Sequence, residues 1–370
     1  MGALLASVVA CYVGCLSGTG ESLHVLEFDT ETGEARLVQS LKGPDGTTYF
    51  DLDREGHTLY TCLAERRDGR PAGALVKFAL GPDGRIGAMT RLADLPCEAP
   101  CHVALSPDGR RLAFAAYVSA TCGTVGVDGR GLATFTFPDD ETGPCVDRQQ
   151  KAYAHQAFFK GRGIAGLAGC ELGVVDLGCD RIWFFNPVTM ERRDDVIRFD
   201  AGDGPRHAVL SADGRHLFVL CELSSRVCSF AIGYPLNCIR EQPPAFKRIG
   251  GWSTLPEGTD LRFSKAAAIR LSDDGKVLMA SNRGHDSIAF FGVGEDGALT
   301  PRNIAKLRGR FPRDFVPAPG GKFLVAGHKL SDEVQVYRVD WEDGTLSPVG
   351  KPLAVKRPLC FKFAPTPLRF

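Results

Sequence analysis

The chain has no surplus of either charge: among its 370 residues, 44 Lys and Arg balance 44 Asp and Glu. With no block of like charge, it offers no electrostatic track for nucleic acid or for an anionic membrane. No segment is long and apolar enough to cross a bilayer as a helix. Sustained helical periodicity is missing too, which removes bundles and helical solenoids. The 13 cysteines contain no Cys-x-x-Cys pair, and Cys11/Cys15 and Cys97/Cys101 lack the second pair that a zinc site needs. No compact His, Asp and Glu spacing points to a metal, and nothing calls for a cofactor. Scattered thiols in odd number make a poor disulfide framework. They read as small core residues of a cytosolic protein. Ahead of its apolar stretch, the segment from Met1 to Cys15 carries no Lys or Arg, so it reads as a buried strand rather than a signal peptide. Ala6 stands where myristoylation needs Ser or Thr. Composition sets no oligomeric state.

What is present is a repeat. Six times, at intervals of about fifty residues, an apolar run meets a Gly-bearing turn and resumes as a second apolar run. The clearest copies are Ser106-Pro107-Asp108-Gly109, Ser211-Ala212-Asp213-Gly214 and Ser272-Asp273-Asp274-Gly275. Looser copies turn at Asp53 to Gly56, Lys160 to Gly163 and Pro319 to Gly321. A second, weaker turn lies between them, at Asp29 to Gly33, Gly81 to Gly84, Gly294 to Gly297 and Asp340 to Gly344. Short runs of Val, Leu, Phe and Ala bounded by Gly, Asp and Pro are strands. Two turns per repeat give about four strands, the blade of a β-propeller. The spacing predicts an all-β, seven-bladed propeller over residues 1–370 as one domain. Its incomplete first blade, from about Val8 to Phe28, is completed by the C-terminal run Leu359 to Phe363, so that strands from both ends close the ring and remove open sheet edges. The Gly-rich stretch Gly161 to Gly173 predicts a bulged or lengthened loop in the fourth blade.

The turn glycine also serves as a ruler. Eight residues before it lie His155, Arg206 and Arg313; seven before it lie His102, His207 and Asp314; eight after it lie Tyr117, Glu222 and Arg283. In a hairpin of six- or seven-residue strands these positions share the end opposite the turn. If that hairpin is the inner pair of each blade, His155, Arg206, His207, Glu222 and Arg283 meet at one rim of the central channel. Arginines there suit an anionic, carbonyl-bearing substrate. A His or Glu could activate water and an arginine could hold an oxyanion. A plainer alternative has Arg206 and Glu222 as a cross-hairpin ion pair that closes the blade. His102 and Tyr117 read as strand caps, and Asp180 and His328 as structural.

At Gly204-Pro205-Arg206-His207-Ala208, Glu222-Leu223, Ser281-Asn282-Arg283-Gly284-His285-Asp286-Ser287-Ile288 and Phe311-Pro312-Arg313-Asp314-Phe315, the chain resembles the seven-bladed-propeller lactonases. That family contains the bacterial-type 6-phosphogluconolactonases and the fungal carboxy-cis,cis-muconate cyclases. The opening Tyr12-Val13-Gly14, with Phe28-Asp29 and Thr32-Gly33, is similar to its first blade. The resemblance covers essentially the whole chain and implies a catalytic set of His155, Arg206, Glu222 and Arg283. His207, Asn282, His285 and Arg313 are then the expected substrate-binding residues. The chain departs from the pattern where Ala154 precedes His155 in the place of a common proline, where the fourth-blade turn is degraded, and where Ala326-Gly327-His328 stands in the place of a usual asparagine.

The resemblance implies a metal-independent hydrolase of a sugar lactone, 6-phosphogluconolactone first among them. A cyclase closing a muconate-type dicarboxylate is the second expectation, and a propeller used only as a protein-interaction platform the third. Three Trp and the missing Gly-His and Trp-Asp signatures separate the chain from WD-repeat platforms. The expected partner is a small anionic lactone or dicarboxylate.

Overall fold

The recurrent turn is built by its own side chains. Asp108 Oδ1 accepts from Ser106 Oγ at 2.6 Å and from Arg110 N at 3.1 Å, and Ser106 Oγ accepts from Arg111 N at 2.9 Å. Gly109 closes the turn onto Ser106 O at 2.9 Å with φ +72°, a conformation that favours glycine. Ser211/Asp213/Gly214 and Ser272/Asp274/Gly275 repeat this pattern. Ser-x-Asp-Gly is thus a local structural code, which is why it recurs in the sequence.

The computed structural model describes residues 7–368 apart from residues 17, 19, 44–46, 139–141, 161–170, 234–244 and 366. Among the described residues there is no helix, and 28 strands form seven four-stranded antiparallel sheets. Blade 1 sets the C-terminal strand Pro358–Phe363 beside Val8–Cys15, followed by Leu23–Asp29 and Ala35–Leu41. Cys11 pairs with Phe363 and Val13 with Phe361 across this seam, so the ring is closed by both ends of the chain as expected. Blades 2 to 7 run consecutively, with innermost strands Phe50–Leu52, Pro100–Leu105, Ala154–Lys160, Pro205–Leu210, Lys265–Leu271 and Pro312–Pro317.

The core is divided the same way. Each of the seven interfaces between adjoining blades holds its own buried cluster, for example Phe184, Val219 and Phe230 between blades 4 and 5, and Phe218, Leu278 and Phe291 between blades 5 and 6. A single blade cannot bury both faces, so closing the ring is what completes the core. The weaker turn closes the outer strand pair, as at Gly84 onto Gly81 O and Gly297 onto Gly294 O. Two more such turns close the outer strand pairs of blades 3 and 4, at Gly126 to Gly129 and at Asn186 to Met190, where Met190 at φ 58° takes the usual place of glycine. The fourth main turn and most of the Gly161 to Gly173 stretch lie outside the described residues.

Polar links tie the inner strands into a girdle. Lys362 of blade 1 pairs with Asp51 of blade 2 at 2.5 Å, and Asp51 also accepts from Leu105 N of blade 3 at 2.8 Å. Gln156 of blade 4 exchanges two hydrogen bonds with the Ala208 backbone of blade 5. Asp314 of blade 7 pairs with Arg270 of blade 6 at 2.7 Å and accepts from Phe361 N of blade 1 at 3.0 Å.

Candidate active site

Four inner strands begin with the same irregularity. The register slips by one residue between Pro100 and His102, between Ala154 and Gln156, between Pro205 and His207, and between Pro312 and Asp314. The bulged residues are Cys101, His155, Arg206 and Arg313. A bulge lets two successive side chains depart from strict alternation, so a pair of residues from each blade can turn toward the channel. The bulge forms at Ala154 as it does at the three prolines, and it puts His155 in the place of Arg206 and Arg313 independently of the turn beyond residue 160.

Glu222, just past the second strand of blade 5, is the centre of the cluster. Its side chain is 3% exposed. Oε2 lies 3.0 Å from Arg206 Nε and 2.8 Å from Arg283 Nη2, while Oε1 accepts from Arg148 Nη2 at 2.7 Å. Arg206 Nε is off the hydrogen-bonding direction, so that contact is an ion pair without a proper hydrogen bond. The plain cross-hairpin pair is therefore present, but two further arginines share the same carboxylate. Burial alone would raise the Glu222 pKa; the attraction of Arg283, Arg206 and Arg148 outweighs it and holds the carboxyl well below the usual range.

The surplus positive charge falls on the arginines. Arg206 is pushed down to about 9 by burial and then by Arg313 and Arg283, against the pull of Glu222, and remains cationic at neutral pH. Its Nη1 donates to Ala267 O and stands 3.3 Å from both ring nitrogens of His207, which puts the guanidinium over the imidazole face. Arg283 is held by the carbonyls of Lys265 at 3.2 Å and Ala266 at 2.7 Å. Arg313 is lowered by burial and by Arg283, and among the described residues it has no hydrogen-bond or ion-pair partner.

His155 lies against the same cluster. Among the described residues its buried Nδ1 has no partner, and burial followed by the Arg206 charge keeps the imidazole neutral. His155 packs edge-on to His207 at 5.2 Å, and His207 to His102 at 5.6 Å; Tyr49 stacks on His102 at 4.0 Å. Both ring nitrogens of His102 are buried and have no partner among the described residues. His102 and Tyr117, read above as strand caps, belong instead to this lining: Tyr117 stacks on Tyr153 at 4.5 Å and meets His155 edge-on at 5.4 Å.

The structure thus brings together His155, Arg206, His207, Glu222, Arg283 and Arg313. Asn282 is committed elsewhere: it donates to Thr254 O at 2.8 Å and Ser287 Oγ at 3.2 Å, and accepts from Thr254 Oγ1 at 2.6 Å. His285 bonds the same Ser287 Oγ at 2.8 Å. Both brace the loop that carries Arg283. Asp180 takes the Gly202 and Gly204 amides and Gln149 Nε2, and His328 contacts Tyr337, which are structural roles.

Arg148 was invisible to the repeat because it comes from the segment between blades 3 and 4. The only signal was that segment's length, residues 137–153. Fully buried Gln149 pins it through Cys145, Leu177 and Asp180. Among the described residues, buried Asp203, Cys221 and Cys228 have ligating atoms within 4.8 Å of one another. Arg248 Nη2 lies 3.6 Å from Cys228 Sγ and already supplies a cation there.

A seven-bladed propeller with a buried, cation-rich site at one end of its channel is a scaffold for polar small-molecule chemistry. The chain belongs to the lactonase, seven-bladed β-propeller family, whose profile matches residues 10–363. It is 30% identical to the 6-phosphogluconolactonase of Bacillus subtilis over 375 aligned positions, covering 95% of this chain and 97% of that one. A 6-phosphogluconolactonase of Formosa agariphila is 27% identical, with 91% and 93% covered. Among solved structures, a protein from Lactobacillus plantarum superposes with a TM-score of 0.81 at 26% identity over 96% of this chain and 99% of that one. The periplasmic gluconolactonase PpgL of Pseudomonas aeruginosa has the same fold, with a TM-score of 0.82 at 24% identity and 97% and 99% covered.

Proposed function

We propose that this protein hydrolyses 6-phospho-D-glucono-1,5-lactone, with His155, Arg206, Glu222 and Arg283 as the reacting set and Arg313 as an anion-binding residue. The observation that carries this reading is the charge balance of the cluster. One carboxylate faces Arg148, Arg206 and Arg283, and Arg313 beside them has no partner among the described residues. Such a site favours an anionic ligand and a reaction that develops negative charge on oxygen. The names of the Bacillus subtilis and Formosa agariphila relatives support the choice of lactone.

The two candidate bases are chemically unlike. Glu222 is ionised but engaged by guanidiniums and depressed in basicity. His155 is neutral with an unpartnered ring nitrogen, the form a general base needs. In the proposed reaction a water oxygen attacks the lactone carbonyl carbon while His155 takes one water proton. The carbonyl electron pair moves onto its oxygen beside the arginines. Collapse re-forms the C=O bond and breaks the bond to the ring oxygen, which receives the proton back from His155. Lactone plus water thus gives the hydroxy acid. Glu222 stays ionised and stabilises the transient imidazolium, since its charge raises the His155 pKa. A bound substrate anion offsets Arg206 and Arg313, two cations that suppress His155, and so restores its basicity.

A cytosolic setting is part of the proposal, supported by the eleven cysteines among the described residues, all of them free thiols. The test is proton release in a pH-stat from fresh 6-phosphogluconolactone, against spontaneous hydrolysis. No acceleration at micromolar protein would remove the proposal.

A further inference from the structure

Three guanidiniums share Glu222, but they are not held alike. Arg206 and Arg283 are buried, their side chains 3% and 7% exposed, and both are also anchored to backbone carbonyls. Arg148 is 34% exposed. Among the described residues, its side chain has only Glu222 Oε1 at 2.7 Å and a long contact to Tyr117 Oη at 3.4 Å. Its backbone, by contrast, is fixed: Arg148 N and Gln149 N both donate to Cys145 O. The side chain can therefore leave Glu222 without the segment moving. Lys265 pairs with Arg283 across the inner strands of blade 6, and its carbonyl accepts from Arg283 Nε at 3.2 Å. Among the described residues, Lys265 Nζ bonds only the Leu261 carbonyl, at 2.8 Å. Arg148 and Lys265 thus put two part-exposed cations at the solvent side of the cluster, bordering Glu222 and Arg283.

We propose that Arg148, with Lys265, binds the phosphate of the substrate, and that this draws Arg148 off Glu222 and switches the site on. The proposal rests on the lactonase reading of the same site. A phosphate dianion offers Arg148 a partner at least as strong as one carboxylate oxygen, with bidentate geometry available. Once Arg148 turns outward, Glu222 is shared by two cations rather than three. More of its charge then stabilises the imidazolium of His155. A lactone without phosphate leaves Arg148 on Glu222 and meets a weaker base. Arg148 is therefore a specificity and positioning residue, and its effect should reverse sign between two substrates that differ only in the phosphate.

The experiment compares wild type, Arg148→Gln and Arg148→Lys on 6-phosphogluconolactone and on unphosphorylated gluconolactone, with full pH profiles of kcat/KM. Arg148→Gln should lower kcat/KM about 10- to 100-fold for the phosphorylated lactone, the scale of a lost charge-assisted contact. It should raise kcat/KM severalfold for gluconolactone and move the acid limb of that profile upward in pH. Arg148→Lys should recover part of the phosphate preference. Equal losses on both lactones would mark Arg148 as a structural residue and overturn the proposal, as would no change on either. Calorimetric titration with 6-phosphogluconate and with inorganic phosphate tests the site without turnover. Tight binding that Arg148→Gln weakens about 10-fold or more supports it, and equal affinity in both proteins refutes it. If wild type hydrolyses neither lactone, the lactonase reading fails separately, and the titration alone decides the phosphate site.

Discussion

Replacing Glu222 by Gln removes one negative charge at almost constant volume. The side chains it faces in Arg206 and Arg283 are 3% and 7% exposed, so solvent cannot take over from the carboxylate. Breaking a buried ion pair by removing one partner costs about 3–5 kcal/mol, because the remaining charge is left uncompensated. Unfolding entropy of about 2.1 cal/mol/K per residue over 370 residues gives about 0.8 kcal/mol/K. The expected loss is then about 4–6 °C in Tm. Sulfate or phosphate in the buffer should recover part of it by supplying an anion to the arginines. Turnover should fall about 100- to 1000-fold, as when a preorganised electrostatic group is removed from a reaction centre. Scanning calorimetry with and without sulfate and initial rates on the phosphorylated lactone measure both effects. A Tm within about 1 °C of wild type together with kcat within about threefold would refute the reasoning, since it would mean that the arginines do not depend on this carboxylate.

His102, His155 and His207 are all held well below the ordinary imidazole range, chiefly by burial and then by neighbouring cations. Unfolded imidazoles titrate near about 6.5, so below that pH the unfolded chain binds more protons than the folded one and stability falls. Glu222, depressed in the fold, adds a loss in the same direction below about pH 4.3. The urea midpoint should therefore drop between pH 7.5 and 5.0, and His102→Phe should flatten that slope; a slope unchanged by the substitution would exclude His102 as a contributor. His155→Gln should cut kcat about 100- to 10,000-fold with KM little altered and should abolish the acid limb of the rate profile; a retained limb would assign it to another group. Asp180→Ala should cost about 1–3 kcal/mol by leaving buried donors unpaired and should speed hydrogen exchange at Gly202 and Gly204, while unchanged exchange would deny Asp180 its bracing role.

The architecture was legible because the turn writes itself into the sequence. Ser-x-Asp-Gly satisfies its hydrogen bonds within about five residues, so each copy is readable alone and the spacing between copies yields the blades. The same local regularity let Arg206, Glu222, Arg283 and Arg313 be placed at one rim. Asn282 was expected to bind substrate from the family resemblance of its motif, but adjacent strand residues point to opposite faces, and its side chain went to Thr254 and Ser287. Tyr117 and His102 looked like strand caps because their partners, Tyr153 and Tyr49, come from other blades.

By itself, then, the sequence determined the repeat, the strand-and-turn grammar, the closure of the ring by its two ends and the level at which the polar side chains gather. Each of these depends on contacts between residues close in the chain or on a fixed period. Only the tertiary structure decided how charge is distributed among them. Glu222 serves three arginines rather than one, Arg313 has no partner among the described residues, and Arg148 reaches the cluster from a segment that follows no repeat. Ion pairing and desolvation act through space between blades, over distances that no local spacing records.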